Sequence, residues 1–205
     1  MIHALSVQLV SAWHKTSGVE LIAAVLAVAY LLLAIRQQSS CWIAAFVSSC
    51  LYVWVLFGAH LYMESVLNAF YAAMAVYGYR QWRGAAARSA LKVTRWPVTR
   101  QLAPLLAVIA LSVVNSFFLK RFTHAASPLI DSLLTWSSVY ATFLVARKVY
   151  ENWYWWMLID SLSVCLYFTR HLYATMVLFG LYVVLIFIGM REWRRSLPAS
   201  AYASA

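Results

Sequence analysis

Charge is what this chain has least of. Of 205 residues, 16 are Lys or Arg and 6 are Asp or Glu, 11% in all, against about a quarter in soluble domains, and a solvated globular surface is thereby excluded. No stretch reads G-x-x-x-x-G-K-[ST], so there is no phosphate-cradling loop for an ATP-driven pump. Cysteine is scarce too. Cys41, Cys50 and Cys165 fall inside apolar runs without metal-ligand spacing and read as buried small hydrophobes. No His, Cys and Asp cluster offers a membrane-embedded active site, so neither enzyme, cofactor nor metal is expected. Residues 1–17 lack the basic start, continuous apolar core and small-residue cleavage site of a signal peptide and read as an interfacial lead-in.

What the chain has is apolar surface: 64% of residues are hydrophobic and the mean hydropathy is +0.75. Apolar runs bounded by charges, Gly, Pro or aromatic residues lie at 19–35, 41–58, 62–79, 101–119, 129–146, 153–169 and 172–190, each close to the roughly 20 residues a bilayer span needs. They are too long, and alternate too little, for an outer-membrane barrel. The expected fold is an all-α integral membrane protein with seven transmembrane helices. Lys15, Lys120, Arg121 and Arg170 fall on one side of that layout and the other 12 of the 16 basic residues on the opposite side. The positive-inside rule then puts the N-terminus outside and the C-terminus in the cytoplasm. The net charge of +10 reports orientation, with no nucleic-acid partner implied. The basic connection at 80–100 reads as a solvated loop near anionic lipid headgroups, and Tyr77, Tyr79, Trp82, Trp155 and Trp193 as interfacial anchors.

The chain repeats itself at an offset of 111. His60-Leu61-Tyr62 falls on His171-Leu172-Tyr173, while Arg36, Trp42, Tyr71, Gly78, Arg80 and Trp82 fall on Arg147, Trp153, Tyr182, Gly189, Arg191 and Trp193, giving 16 identities in the 63 pairs that match Glu20–Trp82 with Asp131–Trp193. Three helices per repeat would leave two directly joined repeats inverted, and a fourth helix between them restores the same orientation. The expected layout is a 3+1+3 parallel-repeat, SWEET-like arrangement: a first three-helix bundle at 18–83, a basic loop with a linker helix at 84–127, a second bundle at 128–194, and a tail at 195–205. Parallel-repeat transporters hold substrate at the repeat interface near the midplane.

Polar residues on the facing helices are the candidates. Asp160 sits mid-span, where an ionisable group is costly and functional by default. Trp153, Trp156 and Asp160, at i, i+3 and i+7, share one helix face, so two indoles and a carboxylate suit a flat cationic ring. The repeat partner of Asp160 is Ser49, beside Ser48. Asn68 and Tyr71 share a stripe with Glu64, which together with Asp131 is a candidate gate at an outer helix start. Asn115 is expected to bond between helices.

The segment Glu151-Asn152-Trp153-Tyr154-Trp155-Trp156, the stretch Leu61-Tyr62 through Tyr77-Gly78-Tyr79 and Trp82, and the duplication together resemble the PnuC family of vitamin transporters. That resemblance implies facilitated diffusion of a dephosphorylated vitamin precursor, typically nicotinamide riboside, across the bacterial inner membrane, with trapping by a cytosolic kinase. It assigns binding to Trp153 and Trp156, with Asn152 in the same segment. It also places the family's site amides at Ser48 or Ser49, Asn68 and Asp160. Relatives on this scaffold carry thiamine or other vitamins, and a non-transporting vitamin receptor is the alternative class. The implied partners are the vitamin, membrane lipid and the kinase, with homo-oligomerisation left open.

Overall fold

The computed structural model describes residues 18–58, 60, 62–84, 91–122 and 127–198. Seven helices hold nearly all of them: α1 (Gly18–Ile35), α2 (Cys41–Gly58), α3 (Tyr62–Gly84), α4 (Val98–Phe122), α5 (Pro128–Ala146), α6 (Asn152–Thr169) and α7 (Tyr173–Arg195). The lead-in expected at 1–17 and residues 199–205 of the tail lie outside the described residues. Helices α3 and α7 run about one turn past the spans read from hydropathy. Their last turns carry Arg83 and Arg194–Arg195, basic side chains that favour the negative end of the helix dipole, so the helix continues where the apolar run stops.

Four helices, α2, α4, α5 and α7, are long and apolar enough by themselves to cross a membrane. The others fall short for local reasons: the apolar part of α1 is only Leu21–Ile35, α3 carries Glu64 and Asn68, and α6 carries Asn152 and Asp160. Outward faces are apolar, with Trp54 79% and Phe117 69% exposed, as lipid contact requires. Cys41 is buried, but Cys50 and Cys165 are exposed. The expectation of three buried thiols is corrected accordingly, because an outward face on a membrane helix accepts a small apolar side chain without packing it.

Helix α2 packs against α1 and α3, and α6 against α5 and α7; α3 meets α5, α7 meets α1, and α4 touches α5. The 111-residue offset recurs in the backbone. Gln37 and Lys148 both have positive φ, 56° and 50°, as do His60 and His171, 59° and 56°. At the first pair of turns the Gln37 and Lys148 N–H groups donate to Ala34 and Val145, and those of Cys41 and Asn152 to Gln38 and Val149. Glycine is required at one repeated position: a Cβ on Gly78 would overlap the Trp42 ring, and one on Gly189 that of Trp153. Each indole is seated on the backbone of the third helix of its own repeat.

The connection expected as a solvated loop is instead partly built in. Val93 is 1% exposed, Thr94 pairs with the 148–150 turn through its N–H to Lys148 and its carbonyl from Tyr150, and the largely buried Glu151 carboxylate accepts from Arg95 at 3.1 Å and from the Trp96 N–H at 2.9 Å. Hydropathy could not reveal this strap, because it is held by backbone pairing and one ion pair. Asn115 donates to Ser132 at 3.1 Å, the interhelical bond expected of it.

Candidate substrate cavity

A cavity of about 550 Å³ lies among α1, α2, α3, α5, α6 and α7, within the range of small-molecule sites. Each helix contributes the polar face that its lipid-facing side lacks. From α2 come Ser48, Ser49 and Tyr52; from α3, Asn68 and Tyr71; from α5, Thr135, Ser138 and Thr142. Helix α6 supplies Asn152, Trp153, Trp156, Asp160 and Ser163, and α7 supplies Tyr182. All eight residues read from the sequence as substrate-binding therefore border one space. Sequence reading missed Tyr182, although it is the 111-offset partner of Tyr71, and it neighbours both Tyr52 and Asp160.

The eight are not equally free to act. Ser48 donates to the Ala23 carbonyl at 2.8 Å, tying α2 to α1. Asn68 donates to the Glu64 carbonyl one turn back at 2.9 Å, leaving its amide oxygen for other work. Tyr71 is hydrogen-bonded with Ser138, across from α3 to α5. Asn152 donates to Val149 at 2.6 Å, while its amide oxygen is buried without a partner among the described residues. Trp153 is 2% exposed and stands edge-on to Trp193, centroids 5.4 Å apart at 88°; it borders the end of the cavity next to the turn that carries Arg147 and Lys148, its basic end. Its indole N–H, like that of Trp42, is buried and unpartnered among the described residues. Trp156, one turn further along and partly exposed, offers the more open ring.

Asp160 is 5% exposed, and among the described residues no hydrogen bond or ion pair compensates its carboxylate. A carboxylate in such a place is expensive unless a bound group supplies charge or protons. The candidate gates lie elsewhere. Asp131 accepts from Arg170 through both oxygens, at 3.1 and 3.2 Å, which ties α5 to the α6–α7 turn, and Glu64 is exposed; neither borders the cavity.

Two of the tryptophans expected as interfacial anchors, Trp82 and Trp193, correct that expectation. Trp82 is 6% and Trp193 0% exposed. They meet each other at 6.3 Å and continue to Trp42 and Trp153 at 5.5 and 5.4 Å. Terminal position on an apolar run looks the same for a lipid-facing and an inward-facing indole, and only packing separates the two. Lys148 sits over Trp82, 4.6 Å from its ring centre, and burial pushes its ammonium below the ordinary lysine value. Trp155 donates to Gln101 at 3.0 Å, joining α6 to α4.

Residues 17–195 match the family model described as the nicotinamide mononucleotide transporter. The chain belongs to that family. Among curated relatives, the riboflavin/roseoflavin transporter RibM of Streptomyces davaonensis is 28% identical over 85% of this chain and 83% of its own. The nicotinamide riboside transporter PnuC of Escherichia coli K12 is 25% identical over 89% and 87%. The crystal structure of the vitamin B3 transporter PnuC superposes with a TM-score of 0.72 at 19% identity, covering 100% of this chain and 91% of that one, which shows a shared fold. The family consists of multi-pass membrane transporters, not enzymes, and the expected PnuC resemblance holds across the chain.

Proposed function

We propose that this protein is an alternating-access uniporter for a dephosphorylated B-vitamin precursor whose ring carries a positive charge, nicotinamide riboside first among them. One observation carries the choice: Asp160, buried in the cavity beside Trp156 and Tyr182, has no compensating partner among the described residues. A pyridinium ring stacked on an indole would supply the missing charge. The Trp153 N–H and Asn152 oxygen, unpartnered among the described residues, would bond an amide or hydroxyl. Thiamine, with a cationic ring, is the alternative on the same chemistry. RibM's name makes riboflavin a third reading, but an uncharged isoalloxazine would leave the Asp160 carboxylate uncompensated.

The layout proposed is 3+1+3: α1–α3 and α5–α7 as parallel bundles about a twofold-like axis, with α4 as linker. The reciprocal contacts of α3 with α5 and α7 with α1, and the two matched pairs of turns, support it. The basic end then faces the cytoplasm and the N-terminus lies outside, at the inner membrane. A cytosolic kinase would trap the vitamin. Uptake of labelled nicotinamide riboside into proteoliposomes tests this reading. Saturable entry that stops at equal concentrations is expected, inhibited by excess thiamine more than by excess riboflavin. Accumulation only under an imposed proton gradient would overturn uniport, and entry of riboflavin alone would overturn the substrate.

A further inference from the structure

We infer that Trp82 and Trp193 are the gate residues of this transporter, a reciprocal latch that closes the basic end of the cavity and comes apart when substrate leaves by that end. Trp82, on α3, donates its indole N–H to the Ala146 carbonyl at the end of α5, at 3.1 Å. Trp193, on α7, donates to the Ala34 carbonyl near the end of α1, at 3.0 Å. Each therefore reaches from its own repeat into the other, and the two are offset partners. Both accepting carbonyls lie in the last turn of a helix, where the ordinary intrahelical ladder has run out, and that of Ala34 also accepts from the Gln37 N–H in the turn that follows.

The cross-bonds sit where a path must open. Helix pairs α3–α5 and α7–α1 are the contacts between the two repeats, and the latch spans both pairs at one level. Trp193 borders the cavity from below together with Trp42 and Trp153. Beneath the latch, Val93 of the strap and Leu197 join the same core, and Lys148 covers the Trp82 ring. A solute moving toward the basic end meets Trp193 with Trp42 and Trp153 first, and Trp82 packs behind them against Trp42 and Trp193. The chemistry suits repeated opening, because an indole N–H pulled from its carbonyl turns into the water that enters with the path and finds a new partner there. The two rings at the centre, 6.3 Å apart and inclined at 57°, add an aromatic contact between the repeats.

This inference rests on the alternating-access reading above, but its test uses no vitamin. Thr142, which borders the cavity one turn from Ala146, is replaced by Cys in a full-length chain whose Cys41, Cys50 and Cys165 are Ala. Labelling by a membrane-impermeant thiol reagent is then timed in inside-out and right-side-out vesicles. Trp82→Phe with Trp193→Phe keeps an aromatic ring at each position, smaller than the indole, and removes both N–H groups. Labelling from the cytoplasmic side is expected to rise about tenfold, the equivalent of about 1.4 kcal/mol, with each single replacement giving a smaller rise. Unchanged cytoplasmic labelling in the double variant, with normal labelling from outside, overturns the latch. Should the double variant not fold, the two single variants decide by the same measure. Trp155→Phe, which loses the bond to Gln101 but no contact between repeats, is expected to change nothing; an equal rise there would mean general loosening and also overturn it. Raised labelling in a protein that carries no vitamin would leave the latch standing and sink the substrate reading instead.

Discussion

A buried carboxylate without a partner costs stability until something binds to it, and Asp160 is expected to show both sides of that trade. Asp160→Asn keeps shape and removes the charge. Its apo form should melt higher in detergent, by the equivalent of about 1–3 kcal/mol for an unsatisfied buried group. Its affinity for nicotinamide riboside, followed by tryptophan fluorescence, should fall about tenfold or more, while that for riboflavin stays level. A variant that melts lower and binds equally well would make Asp160 a structural residue. Trp156→Ala should weaken binding of the cationic vitamin by roughly 1–2 kcal/mol if its ring is the stacking platform. Asp131→Asn is expected to change uptake little, since its pair with Arg170 is about one-third exposed and such pairs contribute about 1 kcal/mol or less.

At the scale of elements, the close seat between a third helix and the indole facing it sets the packing of each repeat. Gly189→Ala would drive a methyl group into Trp153, and Gly78→Ala into Trp42; overpacking of this kind costs about 1–3 kcal/mol. Gly180→Ala, with nothing within 4 Å of the new Cβ, is the matched control on the same helix as Gly189. Melting should fall in the first two and hold in the third. Gly189→Ala should in addition lower affinity, because Trp153 floors the cavity. The strap is the second element with a consequence. Glu151→Gln removes the charge that holds Arg95 and the Trp96 N–H, so limited proteolysis of the 91–97 segment should quicken several-fold while α6 stays folded.

For the whole molecule, twelve of sixteen basic residues fall on one side of the expected layout, which is the basis of the orientation proposed above. A reporter fused after the C-terminus should read as cytoplasmic, and an outside reading would reverse which end the Trp82–Trp193 latch closes. Much of this level was legible without coordinates. The seven helices of the described residues followed from apolar runs bounded by charge, because the bilayer sets the length such a run must have; four of them are long and apolar enough by themselves to cross. The duplication followed from the rare residues His60, Trp42 and Gly78 recurring 111 positions on. The candidate residues of α6 followed from 3.6-residue periodicity alone, which puts Trp153, Trp156 and Asp160 on one face wherever that face points.

Tertiary structure decided which way each face points and what each polar group bonds. Trp82 and Trp193 looked like lipid anchors, since a run of apolar residues ending in Trp is the same string in either environment; contact with Trp42, Trp153 and each other makes them core. Asp131 accepts from Arg170 through both its oxygens, a pairing between residues 39 apart that no local pattern encodes. Cys50 and Cys165 looked buried, because hydropathy does not distinguish lipid from protein interior. Scarce charge by itself determined that the chain lives in a membrane and made Asp160 conspicuous. That Asp160 stands without a partner among the described residues is a fact about the surrounding helices, and it exists only once they are packed.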